Sequence, residues 1–279
     1  MAKYVGLDWA GRGWLGVILD DADGWETAVF PTVWSCWKYH SDADRILVDV
    51  PIWLPGGARR DCDVEARAKL GRRGGSVFSA PVREAVHEDT LAEAKATNEA
   101  AADFSVQNQA WSIVPRIRAV DEFLDMYPSA RDRLAETHPE LCFYAFNGHT
   151  PLPEPKTTAA GVEHRTALLA DEHPAAASIV EDTGTRYTSP RYAPSVRGVD
   201  DVIDALVAAI TARRMPEATL TVPDAPPTGP RAPDTDRLPR RHRTDPAVDP
   251  RRVHRVRRPD GAAGRQASSD ERVQQCIFE

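Results

Sequence analysis

The chain has 279 residues, 42% of them hydrophobic, and a net charge of −7, which allows one large domain or two small ones with a real core. No apolar run approaches the ~20 residues needed to cross a bilayer and no charged, apolar and small-residue leader opens the chain, so the expectation is a cytoplasmic protein without a membrane partner. Cys36, Cys62, Cys142 and Cys276 are far apart and form no C-x-x-C pair, which argues against structural zinc and a disulfide framework.

In chain order, the first strand is predicted over 3–9, ending in an apolar run capped by Asp8. A glycine-studded turn follows, then an aromatic and β-branched run over 14–20 that predicts a second strand and a hairpin. Gly11, Gly13 and Gly16 spell G-x-G-x-x-G. That motif binds dinucleotides only where a helix opens after it, and 14–19 has neither helical periodicity nor a helix start signal. A third strand is predicted over 26–31, a short aromatic-rich helix or loop around 33–37, and a fourth strand over 45–50 that is apolar up to Asp49 and stops at Pro51. A buried parallel strand ending in a carboxylate places it at the edge where α/β sheets bind ligands.

From Gly56 to Arg83 the chain is polar and arginine-rich, and 85–104 and 107–127 carry helical periodicity. The whole of 56–128 therefore reads as a helical insertion. A further strand is expected from Leu134 through Tyr144, and a helix from Lys156 through Leu169. A loop rich in Pro, Thr, Tyr and Arg then leads to an unambiguous helix over 200–210. From Pro216 onward come ten of the 23 prolines and twelve arginines with no lysine. Such a composition buries too little to offset ordering, so 215–279 is expected to be a disordered tail following a 1–214 domain. Its Arg, Pro and Ala content also fits a frameshifted reading of GC-rich DNA, with a basic nucleic-acid-binding arm as the alternative. Only five of 35 basic residues are lysine, a balance that points to a GC-rich genome and a high-salt, halophilic cytoplasm. There phosphate contacts weaken steeply, so an acidic protein is still compatible with a nucleic-acid substrate.

Asp8, Asp49 and the Asp200, Asp201 and Asp204 cluster carry the chemistry. On a helix Asp201 and Asp204 are i and i+3, so both carboxylates leave one face beside an apolar stripe. Carboxylates gathered near an apolar core repel one another unless a cation neutralises them. Magnesium or manganese suits such oxygen ligands, and a pair of ions ~3.5–4 Å apart activates water and stabilises the leaving oxygen of a phosphodiester. Taken singly, each Asp is equally a cap or a solvated charge, and Asp200 reads as the N-cap of its helix.

The motifs Val5-Gly6-Leu7-Asp8-Trp9-Ala10, Val48-Asp49-Val50-Pro51-Ile52-Trp53-Leu54-Pro55, Arg60-Asp61-Cys62-Asp63 with Ala66-Arg67 and Leu70-Gly71, Ser76-Val77-Phe78, Glu136-Thr137-His138-Pro139-Glu140 and Asp200-Asp201-Val202-Ile203-Asp204-Ala205 occur in this order over about 3–214. In this order the chain resembles the predicted RNase H-fold nucleases of the family called domain of unknown function 429. The resemblance implies an α/β fold with an RNase H-like mixed sheet, three antiparallel strands and then parallel ones. It implies metal ligation at Asp8, Asp49 and Asp201 or Asp204.

Glu136 is a further catalytic candidate if it points to the ligand edge, its bland reading being an exposed edge charge. His138 is a proton shuttle or, beside Pro139, a structural residue. Arg60, Arg67, Arg83, Lys156 and Arg165 are candidate phosphate binders or solvated surface charges. The expected activity is metal-dependent hydrolysis of nucleic-acid phosphodiesters. A non-catalytic nucleic-acid-binding or regulatory module is one alternative. An actin-like phosphotransferase is the other, and it requires a second, Gly-rich phosphate-binding hairpin that the downstream sequence lacks.

Overall fold

The computed structural model describes residues 1–189 and 196–215, together with the backbone of 220–222 and 276–278. β1 (Lys3–Trp9), β2 (Trp14–Asp20) and β3 (Trp25–Phe30) form an antiparallel meander, and β4 (Arg45–Val48) and β5 (Leu134–Glu136) add in parallel on the other side of β1. The order is β3-β2-β1-β4-β5, the mixed sheet expected. Residues 14–20 are a strand, which removes the dinucleotide reading, because no helix follows the glycines to face a pyrophosphate. Gly11 and Gly13 turn the hairpin instead, and Gly16 lies within β2: Ala10 N donates to Gly13 O at 3.0 Å, and Gly11 has φ 113°, a conformation open to glycine.

Alternation along the strands sorts the sheet into two faces. Val5, Leu7, Ile46, Val48 and Leu134 join one core with residues of α1 (Val33–His40) and α5 (Asn108–Met126). The opposite face is covered by α9 (Val199–Arg214), which lies across β1, β2 and β4. Outside α9 pack α6 (Pro139–Phe146), α7 (Ala159–Glu172) and α8 (Ala176–Thr188). Every residue of α9 from Asp201 to Ala212 is buried, as expected for a helix enclosed on all sides. Between β4 and β5 the chain makes α2 (Asp61–Leu70), α3 (Arg83–Val86), α4 (Leu91–Ala101) and α5, the helical insertion expected there. Thr90 and Glu93 form a capping box that starts α4.

The structure departs from expectation at three helices. The strand expected through Tyr144 ends at Glu136, and Pro139 opens α6. Proline at the first helical position loses no hydrogen bond, and Leu141, Cys142 and Phe143 are buried in succession where a half-buried strand would alternate. α8 fills part of what reads as loop, its Ile179, Val180 and Tyr187 packing into the core beside α9. Asp200 is not the cap of α9: Gly198 stands there, and Asp201 accepts from Arg197 N at 2.8 Å. Cys36, Cys62 and Cys142 are buried free thiols. Among the described residues no helix is long and apolar enough to cross a membrane.

The chain divides into a unit of residues 1–226 with 274–279 and a second unit, Pro227–Val273. In the first, β6 (Leu220–Val222) pairs antiparallel with β7 (Cys276–Phe278). The rest of the predicted tail, including the whole second unit, lies outside the described residues.

Candidate active site

Period-2 alternation decides which carboxylates meet. Leu7 and Val48 face the α1 and α5 side, so Gly6 and Asp8 on β1, and Leu47 and Asp49 at the end of β4, face α9. Asp49 N donates to Leu7 O at 3.1 Å, which carries the parallel ladder one residue past β4 and fixes Asp49 beside Asp8. α9 brings Asp204 to the same place. It approaches β1 so closely that a Cβ on Gly6 would overlap the Ala205 carbonyl oxygen and the Ala209 nitrogen. Glycine at 6 and alanines at 205, 208 and 209 are what allow the helix to lie there.

Asp8 and Asp204 are buried, and burial is the main cause that raises both carboxyls. For Asp8 the charges of Asp204, Asp49 and Asp201 add to the rise and Lys156 opposes it, and the carboxyl stands well above the usual range. Asp49 and Asp204 are each pushed up to about 6, again by burial first, with Lys156 pulling down. Lys156 forms an ion pair with Asp204. Burial pulls its ammonium down, but Asp204, Asp8 and Asp49 together outweigh it and hold the lysine above its ordinary value. Three desolvated carboxylates therefore share one ammonium. The second oxygen of Asp204, Oδ1, is buried with no hydrogen-bond partner among the described residues. Asp201 is raised by burial and steadied by the Arg197 N–H, so one of its oxygens is spent on the start of α9.

The other candidates are distributed differently. Glu136 shares the parity of Leu134 and faces away from α9. Its oxygens accept from Ile52 N at 2.7 Å and from Arg60 Nη1 and Nη2 at 2.7 and 2.8 Å, so it is tied inside the fold at the wall of the cleft. Arg60, at the same wall, is buried, spans Glu136 and Asp63, and donates to Ile52 O at 2.8 Å. It is an internal tie between the loop after β4, α2 and β5. Arg165 is fully buried, holding Glu140 at 2.7 Å and the carbonyls of Glu154 and Gly161. Arg83 pairs with Asp121 and Asp125 of α5, and Arg67 donates to Val77 O at 2.9 Å. Neither Arg67, Arg83 nor Arg165 lines the cleft at Asp8, whereas Lys156 does.

That cleft has a volume of about 540 Å³ and is bounded by Asp8, Asp49, Lys156, His138, the α2 to Phe78 segment and one face of α5. Gln109, Ser112, Ile113 and Arg116 follow i, i+3, i+4, i+7 spacing, a stripe visible in the sequence once the helix is known. Arg116 and, from the turn before α9, Arg197 are the two cations that sequence reasoning missed. Arg197 stands in irregular chain and carries no periodic signal at all. His138 is held low chiefly by burial, against opposing influences of the Ser76 backbone and Glu140, and its Nδ1 is buried without a hydrogen bond.

The donor set fits a hard divalent cation held incompletely by protein. It is all oxygen, carries more negative charge than Lys156 balances, and includes the unpartnered Asp204 Oδ1. Among the described residues no three His, Cys, Asp or Glu side chains close around one point, so the expected four-carboxylate shell is not preassembled. Magnesium is commonly held by one or two carboxylates, with water and substrate phosphate completing its octahedron. Asp8 and Asp204, with Asp49 beside them, match that pattern.

No curated protein and no solved structure matches the chain. The sequence profile of the family described as protein of unknown function (DUF429) matches residues 6–228, from the strand that carries Asp8 through the helix that carries Asp204. The chain belongs to that family.

Proposed function

We propose that the protein is a divalent-cation-dependent nuclease that hydrolyses phosphodiester bonds of nucleic acid at the Asp8, Asp49 and Asp204 centre. One observation carries the reading: the carboxylates of Asp8 and Asp204, buried, and of Asp49, half-buried, stand at the carboxyl edge of the sheet, where α/β sheets bind ligands, with Lys156 paired to Asp204. The sheet order, with the hairpin after a central carboxylate, supports an RNase H-type relationship. Asp8 and Asp204, with Asp49 beside them, would hold Mg²⁺ or Mn²⁺. A bound ion supplies positive charge to acidify a water and to stabilise the departing oxygen of the phosphodiester. Lys156 steadies Asp204 and meets the incoming phosphate. The buried Arg60, Asp63 and Glu136 network fixes the loop that follows Asp49.

The phosphotransferase reading has less support, because β5 leads into helix α6, where phosphotransfer needs a second glycine-rich hairpin. A binding module without catalysis is separated by experiment. Purified protein offered branched, hybrid and single-stranded DNA and RNA with Mn²⁺ or Mg²⁺ is expected to cleave at least one, and Asp8→Asn is expected to abolish the cleavage. Cleavage that survives Asp8→Asn overturns the assignment of the site.

A further inference from the structure

The cations of the cleft fall into two kinds. Arg60 and Lys156 are neutralised by carboxylates inside the protein. Arg116 and Arg197 line the same cleft, and among the described residues neither has a carboxylate ion pair. Arg116 is half-buried on α5. Its guanidinium lies 4.8 Å from the ring centroid of Trp9, the residue after Asp8, and donates through Nη1 to the Ser112 carbonyl. Its Nε is buried with no hydrogen-bond partner. The plane of the fork is therefore fixed by stacking while donors stay unspent. Arg197 comes from the turn whose backbone N–H is anchored by Asp201, one helical turn from Asp204. Burial lowers Arg116 first, and the nearby charge of Arg197 lowers it further. Two guanidinium groups that line one cleft repel, and a bound anion relieves that repulsion.

Building on the nuclease reading, we infer that Arg116 and Arg197 form a clamp for a second phosphate, adjacent to the one at the Asp8 and Asp204 centre. The clamp selects a polynucleotide strand over a lone phosphate ester. Phosphate spacing along a strand lets one phosphate meet Lys156 and the carboxylate-held ion while its neighbour engages the forks. Bidentate guanidinium contacts give the strand its register without reading sequence. The net negative charge of the protein opposes a polyanion, and a local pair of guanidinium groups offsets it where the strand meets the site.

The test uses the full chain in EDTA and a fluorescein-labelled single-stranded oligonucleotide, with affinity read by anisotropy across a salt series. Arg116→Ala and Arg197→Ala are each expected to weaken binding about tenfold and to reduce the slope of log K against log salt by about 0.7, the value for one lost single-strand phosphate contact. Arg213→Ala, which removes a charge paired with Asp23 away from the cleft, is expected to leave both unchanged. Arg116→Lys keeps the charge and loses the fork, and is expected to fall between wild type and Arg116→Ala while melting normally. Unchanged affinity and slope in both alanine variants overturns the clamp and leaves the nuclease reading standing. Failure of the wild-type protein to bind the strand at all overturns the clamp outright. A protein that binds through these two arginines yet never cleaves with Mn²⁺ or Mg²⁺ keeps the clamp and loses the nuclease reading.

Discussion

At Asp8 the carboxylate is kept where its charge is costly. Its folded-state affinity for a proton lies above the unfolded value, as do those of Asp49 and Asp204 at about 6. The native state therefore binds more protons than the unfolded chain between about pH 4 and pH 6, and stability falls as pH rises through that window. In EDTA the wild-type melting temperature is expected to drop from about pH 4 to above pH 6. Asp8→Asn is expected to flatten the drop and to gain about 1–2 kcal/mol at neutral pH, the usual size of a stability gain that costs activity. Near pH 4 the gain should vanish. Thermal scans of both proteins across pH decide it, and a net loss at neutral pH would contradict the account. Added Mn²⁺ is expected to raise the wild-type melting temperature and to do so less for Asp8→Asn, because a ligand stabilises only the state that binds it. Arg60 is the opposite case, a charge whose value is structural. Arg60→Leu strands Asp63 and Glu136 without their partner and is expected to cost about 3–5 kcal/mol in urea unfolding. A variant that unfolds like wild type would return Arg60 to the list of free phosphate binders.

At the scale of elements, the contact of α9 with β1 sets the site. Gly6→Ala places a methyl group against backbone atoms of Ala205 and Ala209, which cannot yield as a flexible side chain would. The expected cost is about 3 kcal/mol or more, at the upper end for overpacking. The cleavage rate should fall with it, because the helix that is displaced carries Asp204. An unchanged melting temperature would show that α9 has room the packing denies. The register of β1 with β4 has the same importance. Leu7 pairs with Val48, and a one-residue slip would turn Asp49 to the α5 face.

At the scale of the molecule, the family profile ends at residue 228 and α9 at Arg214. A chain truncated after 228 loses β7 and leaves β6 unpaired. Ladders of two three-residue strands contribute little alone, so the melting temperature is expected to change by no more than about 2–4 °C, corresponding to ~1 kcal/mol for a domain of this size. Mn²⁺ stabilisation should persist. A larger loss, measured by calorimetry, would make the pair of end strands part of the domain.

The apolar and β-branched runs over 3–9, 14–20 and 45–50, and the 3.6-residue period of 107–127 and 200–210, are local properties. They determined the meander, the parallel strand, the long helices and the carboxylates at their ends before any packing is known. What escaped was α6, read as the continuation of the strand that starts at Leu134, and α8, whose buried face of Ala176, Ile179, Val180, Thr183, Gly184 and Tyr187 has helical spacing but mixes small and polar residues with apolar ones. The sites divided in the same way. Asp8, Asp49 and Asp204 are legible because a charge at the end of an apolar run is conspicuous in one dimension. Whether an arginine faces a ligand or a buried carboxylate is not: Arg60 and Arg165 are bound to Glu136 and Glu140, which lie 76 and 25 residues away, while Arg116 and Arg197 line the cleft with no carboxylate ion pair among the described residues. Only the tertiary structure decides that, because the energy of a charge depends on what surrounds it in space, and its neighbours there are not its neighbours in the chain.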